Sequence, residues 1–214
     1  MKDKKYFNTL IFVFITLFTF FGMYLFIRSP YYQTVNIWIQ SNLILYSFCI
    51  YLVKILGIVW PPISGGIFTV ASIPFLGWKL AFLLDFLGSL TGGSIAYWLG
   101  KKYGYTFLSK IFGSDISEKI KKIKIKTGKE IEAIFMYKVL FGNLIIEVIY
   151  YGAGVLQINF SRFLIGSVLA HLLVGIPSFY LVNNIFSGKD AVITITLTLI
   201  AIFVVLKTKG RYFE

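Results

Sequence analysis

Hydrophobic positions along this chain fall into long blocks, and the blocks differ in how polar residues and helix breakers interrupt them. Phe7 to Ile27 is 21 residues without a charge, set between Lys5 and Arg28. At about 1.5 Å of rise per residue such a run crosses a bilayer. A signal peptide has a shorter apolar core of about 7–15 residues that ends at small residues. This run ends instead in Arg28-Ser29-Pro30-Tyr31-Tyr32, so it predicts an uncleaved span. Val35 to Val53 is apolar but holds Asn36, Gln40, Ser41 and Asn42 near its start. It either spans or lies along the interface as an amphipathic helix. Ile55 to Trp78 carries no charge, yet Pro61, Pro62, Gly65, Gly66, Pro74 and Gly77 interrupt it. Non-helical backbone at membrane depth is tolerated only inside protein or beside a water-filled cavity, so residues 55–78 predict a re-entrant segment.

Leu80 to Gly100 then reads as a continuous helix, with Gly88, Gly92, Ala96 and Gly100 four residues apart. Small residues at that spacing form a stripe that lets another backbone come close. Asp85, three residues before Gly88, belongs to the same stripe. Residues 101–132 break the apolar pattern with nine Lys and four acids. Ile116, Ile120 and Ile123 give this basic linker a short apolar face, predicting a surface helix. The earlier pattern now recurs. Residues 133–158 are apolar but broken by Gly142-Asn143 and by Gly152-Ala153-Gly154, and residues 160–182 form another small-residue span. Ala191 to Leu206 is a short last span before Lys207, Lys209 and Arg211.

Composition agrees with these blocks. Hydrophobic residues make up 57% of 214, charged residues 14%, and the mean hydropathy is +0.80. A soluble domain needs about 25% charged residues to cover its surface, so a polytopic membrane protein is the class left standing. The net charge of +12 fits loops that collect Lys and Arg on the cytoplasmic side and contact anionic lipid, with no nucleic acid as partner. The basic linker and tail, together with Lys2, Lys4 and Lys5, all belong on that side if four spans cross, at roughly 7–27, 80–100, 160–182 and 189–206. Both termini are then cytoplasmic, in a plasma or inner membrane, and Val35–Val53 does not cross fully. The two broken segments enter from opposite faces. The expected fold is therefore an all-α inverted repeat of two re-entrant-plus-helix units, the arrangement that places a site near the midplane. Its parts are an N-terminal anchor and interfacial helix (1–54), a core (55–185) and a C-terminal helix with its basic tail (186–214).

Residues 61–104, PPISGGIFTVASIPFLGWKLAFLLDFLGSLTGGSIAYWLGKKYG, resemble the first half of the DedA/VTT (SNARE-associated Golgi protein) domain. The shared order is a Pro- and Gly-bearing loop, Phe-x-Gly, a Gly-rich helix, and then Gly, a basic residue and Gly. Residues 136–177, MYKVLFGNLIIEVIYYGAGVLQINFSRFLIGSVLAHLLVGIP, are similar to that family's second unit. The likeness covers about residues 55–185 and is nearest the TVP38-like branch. It implies transbilayer lipid movement, either scrambling of phospholipids or flipping of polyprenyl-phosphate carriers. Two departures stand out. Residues 55–78 have none of the acids that bacterial DedA proteins carry in the first loop, and Lys138 stands where the family has Arg, with no following Pro in 139–147.

The intramembrane ionisable residues expected to form a pathway are Asp85, Lys138, Glu147, Arg162 and His171. A charge at the bilayer centre costs at least ~2.5–3.5 kcal/mol, so such residues face cavities or partners. Asp85 reads as a proton or headgroup site, or as the partner of Lys138 or Arg162. Lys138 offers a lipid phosphate a point charge, or else snorkels to the interface. Glu147 lies deeper and needs a partner, whereas Arg162 reads as an interface anchor. His171 is either a proton relay or a packed residue. The expected turns are Pro61, Pro62, Gly65, Gly66, Gly142, Gly152 and Gly154. Lone Cys49 excludes a disulfide, and neither a metal site nor a nucleotide loop has the required spacing. No enzyme and no cofactor is expected. The reading is a lipid-moving protein that leaves room for a homo-oligomer; the alternatives are an ion- or proton-coupled transporter of a small solute and a non-transporting scaffold.

Overall fold

The computed structural model describes residues 21–23, 25–61, 65–126 and 128–187, with the side chains of 141–145 excepted. Most of the Phe7–Ile27 span, Pro62, the last span and the basic tail lie outside the described residues. The described chain is all-α, without a strand. Its helices are α1 (Tyr31–Ser41), α2 (Leu43–Val59), α3 (Gly65–Ala71), α4 (Ile73–Phe112), α5 (Ser114–Lys121), α6 (Glu130–Val155) and α7 (Phe160–Ser187). Contacts divide it into two units, Met1–Tyr46 and Ser47–Glu214.

In the first unit, α1 starts beside Pro30, whose fixed φ of −61° suits a helix start. Asn42 stops it. The Asn42 backbone leaves helical geometry (φ −124°, ψ 34°), and its Nδ2 donates to the Trp38 carbonyl at 2.9 Å. Residues 35–53 are therefore not one continuous helix. On α1, Ile39 is buried while Tyr31, Ile37 and Trp38 are exposed.

In the second unit, α4 and α7 are long and apolar enough to cross a membrane, which makes this an integral membrane protein. α4 leaves helical geometry at Gly77 (φ 71°) and Gly104 (φ 65°), backbone conformations that only glycine adopts readily. The straight piece between them, residues 78–103, rises about 39 Å and contains the predicted helix 80–100. Pro61 sits in the turn that ends α2, whereas Gly65 and Gly66 open α3. The first broken segment is thus a short helix set between two interruptions.

The second segment differs from expectation. Helix α6 runs through Gly142, Gly152 and Gly154, and the turn falls after Val155. Gln157 takes the left-handed φ of 55°, and Leu156, Gln157 and Ile158 donate back to the carbonyls of Gly152, Gly154 and Ala153. Asn159 Oδ1 then accepts the backbone N–H of Ser161 at 3.0 Å, starting α7. Gly152 and Gly154 are packing residues rather than turn residues. A Cβ on Gly154 would strike the Tyr97 carbonyl, and one on Gly100 would strike the Tyr151 carbonyl. Each helix supplies a glycine to the other's backbone, so α4 and α6 cross in direct contact.

The small stripe on α4 serves two neighbours. A Cβ at Gly88 would meet Lys54, and one at Gly92 would meet the Ile55 carbonyl and Ile58 at 3.1 Å, all on α2. Ala96 is fully buried and Gly100 faces α6. Around this crossing Tyr97 stacks on Phe163 at 5.0 Å, and Tyr150 meets Phe163 edge-on at 5.6 Å. Buried tyrosines need partners for their hydroxyls: Tyr97 donates to the Ile158 carbonyl, and Tyr151 to the Val59 carbonyl at 2.9 Å. In the basic linker, Ile120 is buried and its side chain lies near Gly152, while Lys119, Lys121, Lys122 and Lys124 are exposed. The predicted apolar face docks on the core and the lysines face outward.

Candidate functional site

The site is centred on Asp85, buried in the long piece of α4. Lys54 Nζ from α2 lies 2.6 Å from Asp85 Oδ1. Thr69 Oγ1 from α3 also lies 2.6 Å from Oδ1 and 3.0 Å from the Gly66 carbonyl, with one proton to donate between them. His171 Nε2 from α7 stands 3.0 Å from Asp85 Oδ2, off the line of a directed hydrogen bond, so that contact is electrostatic. The His171 ring is held by Phe82 and Phe86, with centroids at 5.8 and 5.5 Å. A Cβ on Gly175 would collide with Phe82, so that glycine makes room for the aromatic wall.

Lys54 reaches Asp85 through a passage of glycines. A Cβ at Gly88 would come within 2.6 Å of Lys54 Cγ, one at Gly65 within 3.0 Å of Lys54 Cα, and one at Gly66 within 3.7 Å of Nζ. A side chain at Gly88 is therefore incompatible with this path for Lys54. Gly88 thus has a polar purpose beside the packing role that its spacing suggested, and Gly65 and Gly66, expected as turns, open a helix against Lys54 instead.

Lys138, on α6, is the second buried cation. Its ammonium donates to Tyr150 Oη at 2.8 Å and to the Ser167 carbonyl at 2.9 Å. An ammonium has three donors, and both of these acceptors are neutral. The Ser167 hydroxyl nearby has no hydrogen-bond partner, and Ser89 lies toward the Tyr150 hydroxyl. Sequence spacing explains the alignment. Asp85 and Ser89 are four residues apart on α4, as are Ser167 and His171 on α7, so each pair shares a helix face.

Of the residues singled out from sequence, Asp85, Lys138 and His171 come together in this interior. Asp85 pairs with Lys54, not with Lys138 or Arg162. Arg162 lies elsewhere: its Nη1 bonds Glu130 Oε2 at 2.7 Å, joining the starts of α6 and α7 in an exposed pair. A bond from its own backbone N–H, reinforced by Arg162, holds the Glu130 carboxyl below the usual carboxylate range. Glu147 is half-buried and has no ion pair among the described residues. Lys54, Thr69, Ser89, Tyr150 and Ser167 were not anticipated. Lys54 carried a signal, being the single charge between Arg28 and Lys79, but as the boundary of two apolar blocks it passed for a flank. Among the described residues no group of His, Cys, Asp and Glu is arranged to hold a metal ion.

Taken together these features define an integral membrane protein with an ionic cluster buried among apolar helices. The family model for the VTT domain matches residues 60–184. The chain belongs to that family, the DedA/SNARE-associated group. It is also 31% identical over 131 residues to an uncharacterized protein of Methanocaldococcus jannaschii, a match that covers 59% of this chain and 77% of that one. No solved structure matches the chain.

Proposed function

We propose that this protein moves lipids between leaflets without covalent chemistry, with an anionic headgroup passing through the polar interior of the second unit. The observation that carries the reading is the charge balance there. Lys54 is matched by Asp85, but Lys138 is a buried cation held by neutral oxygens alone. A buried charge needs an opposite one, and a lipid phosphate meeting Lys138 in transit supplies it. Exposed Leu83, Leu87 and Ile95 on α4, with Ile165, Leu169 and Ile176 on α7, offer an apolar exterior to acyl chains.

In this reading the broken segment before α4 and the α6–α7 hairpin are the two halves of an inverted pair, entering from opposite faces of a plasma or inner membrane. The termini and the basic linker are cytoplasmic. The exposed lysines of the linker gather anionic lipid, each near-surface charge contributing about 1 kcal/mol. A second reading, a proton-coupled transporter of a small solute, draws on the contact between His171 and Asp85.

Reconstitution decides between them. Purified protein in liposomes should move labelled phospholipid or polyprenyl phosphate. Lys138→Ala should slow that movement at least about tenfold, the equivalent of one lost charge-assisted hydrogen bond, with the fold retained. No lipid movement by the wild-type protein, or equal rates for the two, would overturn the proposal.

A further inference from the structure

We propose that Lys54 is a built-in counter-cation for Asp85, a resident charge that takes the place of a coupling proton or sodium ion. Resting on the lipid-moving reading, it follows that movement by this protein is not driven by an ion gradient.

The geometry is that of an occupied cation site. An acid that couples transport to an ion has to bind that ion and let it go. Asp85 Oδ1 is engaged by Lys54 and Thr69, and Oδ2 faces His171. The cation is therefore covalently part of the chain, and a tethered group competes with a free one as though at very high concentration. Its path is fixed as well. Gly88 leaves room for the Lys54 stem, Gly65 lets α3 approach the Lys54 backbone, and Gly66 lies beside Nζ. The pair is buried on both sides, with each side chain less than a tenth exposed.

The groups that face Asp85 are accounted for helix by helix. Lys54 comes from α2, Thr69 from α3 and His171 from α7, while Lys138 and Tyr150 of α6 contribute at longer range. None of these is a second acid, but Glu147 of α6 acts on Lys54 at longer range; both variants lose that contact alike, so it cancels in the comparison between them. With Lys54 in place the carboxylate is neutralised at close range, and a proton arriving there would have to displace a partner that cannot leave. Without Lys54, a buried carboxylate would be left to find a proton.

The test uses the full chain, purified in detergent and in liposomes. In detergent, thermal unfolding of Lys54→Met and of Lys54→Met/Asp85→Asn is followed from about pH 8 down to about pH 5, a range in which a buried, unpaired carboxylate takes up its proton. Relative to the double variant, the single variant should gain several degrees of midpoint on acidification, about 4 °C or more. The double variant, neutral at both positions, should follow the wild-type profile. A single variant that folds only in acid also supports the proposal. Parallel profiles for the two variants would overturn it, as would a double variant that does not fold, since the pair would then be a requirement of the fold rather than a stand-in for a bound ion.

In liposomes, wild-type lipid movement should be the same, within about twofold, with and without an imposed pH or sodium gradient, a twofold change being under half a kcal/mol. Severalfold acceleration by a gradient would overturn the inference. Absence of lipid movement under every condition would instead refute the proposed function, and the detergent profiles would still decide whether Lys54 stands in for an ion.

Discussion

Two lysines are buried within the same unit, and their surroundings are opposite. Lys54 is bound to a carboxylate at 2.6 Å and threads between glycines. Lys138 is held by a phenol and a backbone carbonyl, with the Ser167 hydroxyl unpartnered nearby. The first environment is complete. The second satisfies the geometry of two hydrogen bonds but puts no opposite charge in direct contact with the ammonium. In apolar surroundings that imbalance is costly to maintain, and it is the kind of cost that functional sites carry. Under the proposed function the difference divides the labour: Lys54 fixes the helices around Asp85, and Lys138 is the cation that would meet a headgroup.

The comparison is broken most directly from the acid side. Asp85→Asn leaves Lys54 buried with no opposing charge, and removing one partner of a buried pair costs about 3–5 kcal/mol. Lys138→Met removes a cation whose partners are neutral, so the loss should be smaller, about 1–3 kcal/mol for the two acceptors left behind. Denaturant titration of both variants in detergent measures this. An equal or larger loss for Lys138→Met would mean that Lys138 has a structural counter-charge and that the two sites do not differ in kind.

A finer probe tests the passage that leads Lys54 to Asp85. Gly88→Ala introduces a Cβ within 2.6 Å of Lys54 Cγ, whereas Gly66→Ala places one at an ordinary 3.7 Å from Nζ. The first should cost about 1–3 kcal/mol, as overpacking does. The second should be nearly neutral, and unfolding midpoints of the pair report the contrast. Equal midpoints would show that Lys54 has room to take another route.

Much of this arrangement was legible in the sequence, and the remainder was hidden for identifiable reasons. The all-α class and the membrane setting follow from long apolar blocks. Asp85 stood out because it shares a stripe with Gly88 and Gly92, and the structure puts all three inside. Its partner was missed because a charge at the edge of two apolar blocks looks the same whether it lies at an interface or in the interior. Contacts decide that question, and no periodicity records them. Gly152 and Gly154 were misread for a related reason. Clustered glycines mark a turn when the backbone needs positive φ, but here the helix continues, Gly154 admits Tyr97 and Lys101 of α4, and Gly152 faces Ile120. The actual turn uses Gln157, a residue type that gives no turn signal.

The smallest effect expected is at the outer ion pair, which sets the scale for the inner ones. Arg162 and Glu130 meet at 2.7 Å, but the Arg162 side chain is 46% exposed. Exposed pairs contribute little because solvent screens the attraction and two long side chains must be ordered to make it. The sign with pH is still definite. The Glu130 carboxyl is held below its usual range in the folded protein, so whatever the pair contributes is present at neutral pH. It is lost as pH falls through that lowered value, because the unfolded chain takes up the proton first. Glu130→Gln should therefore leave the unfolding midpoint at neutral pH almost unchanged, and should flatten slightly the decline in stability at acid pH. Lipid movement in liposomes should be that of the wild type, because this pair joins helix ends away from Lys138. A loss of transport in Glu130→Gln, with stability intact, would extend the pathway to the surface and remove the distinction between an inner site and an outer clasp.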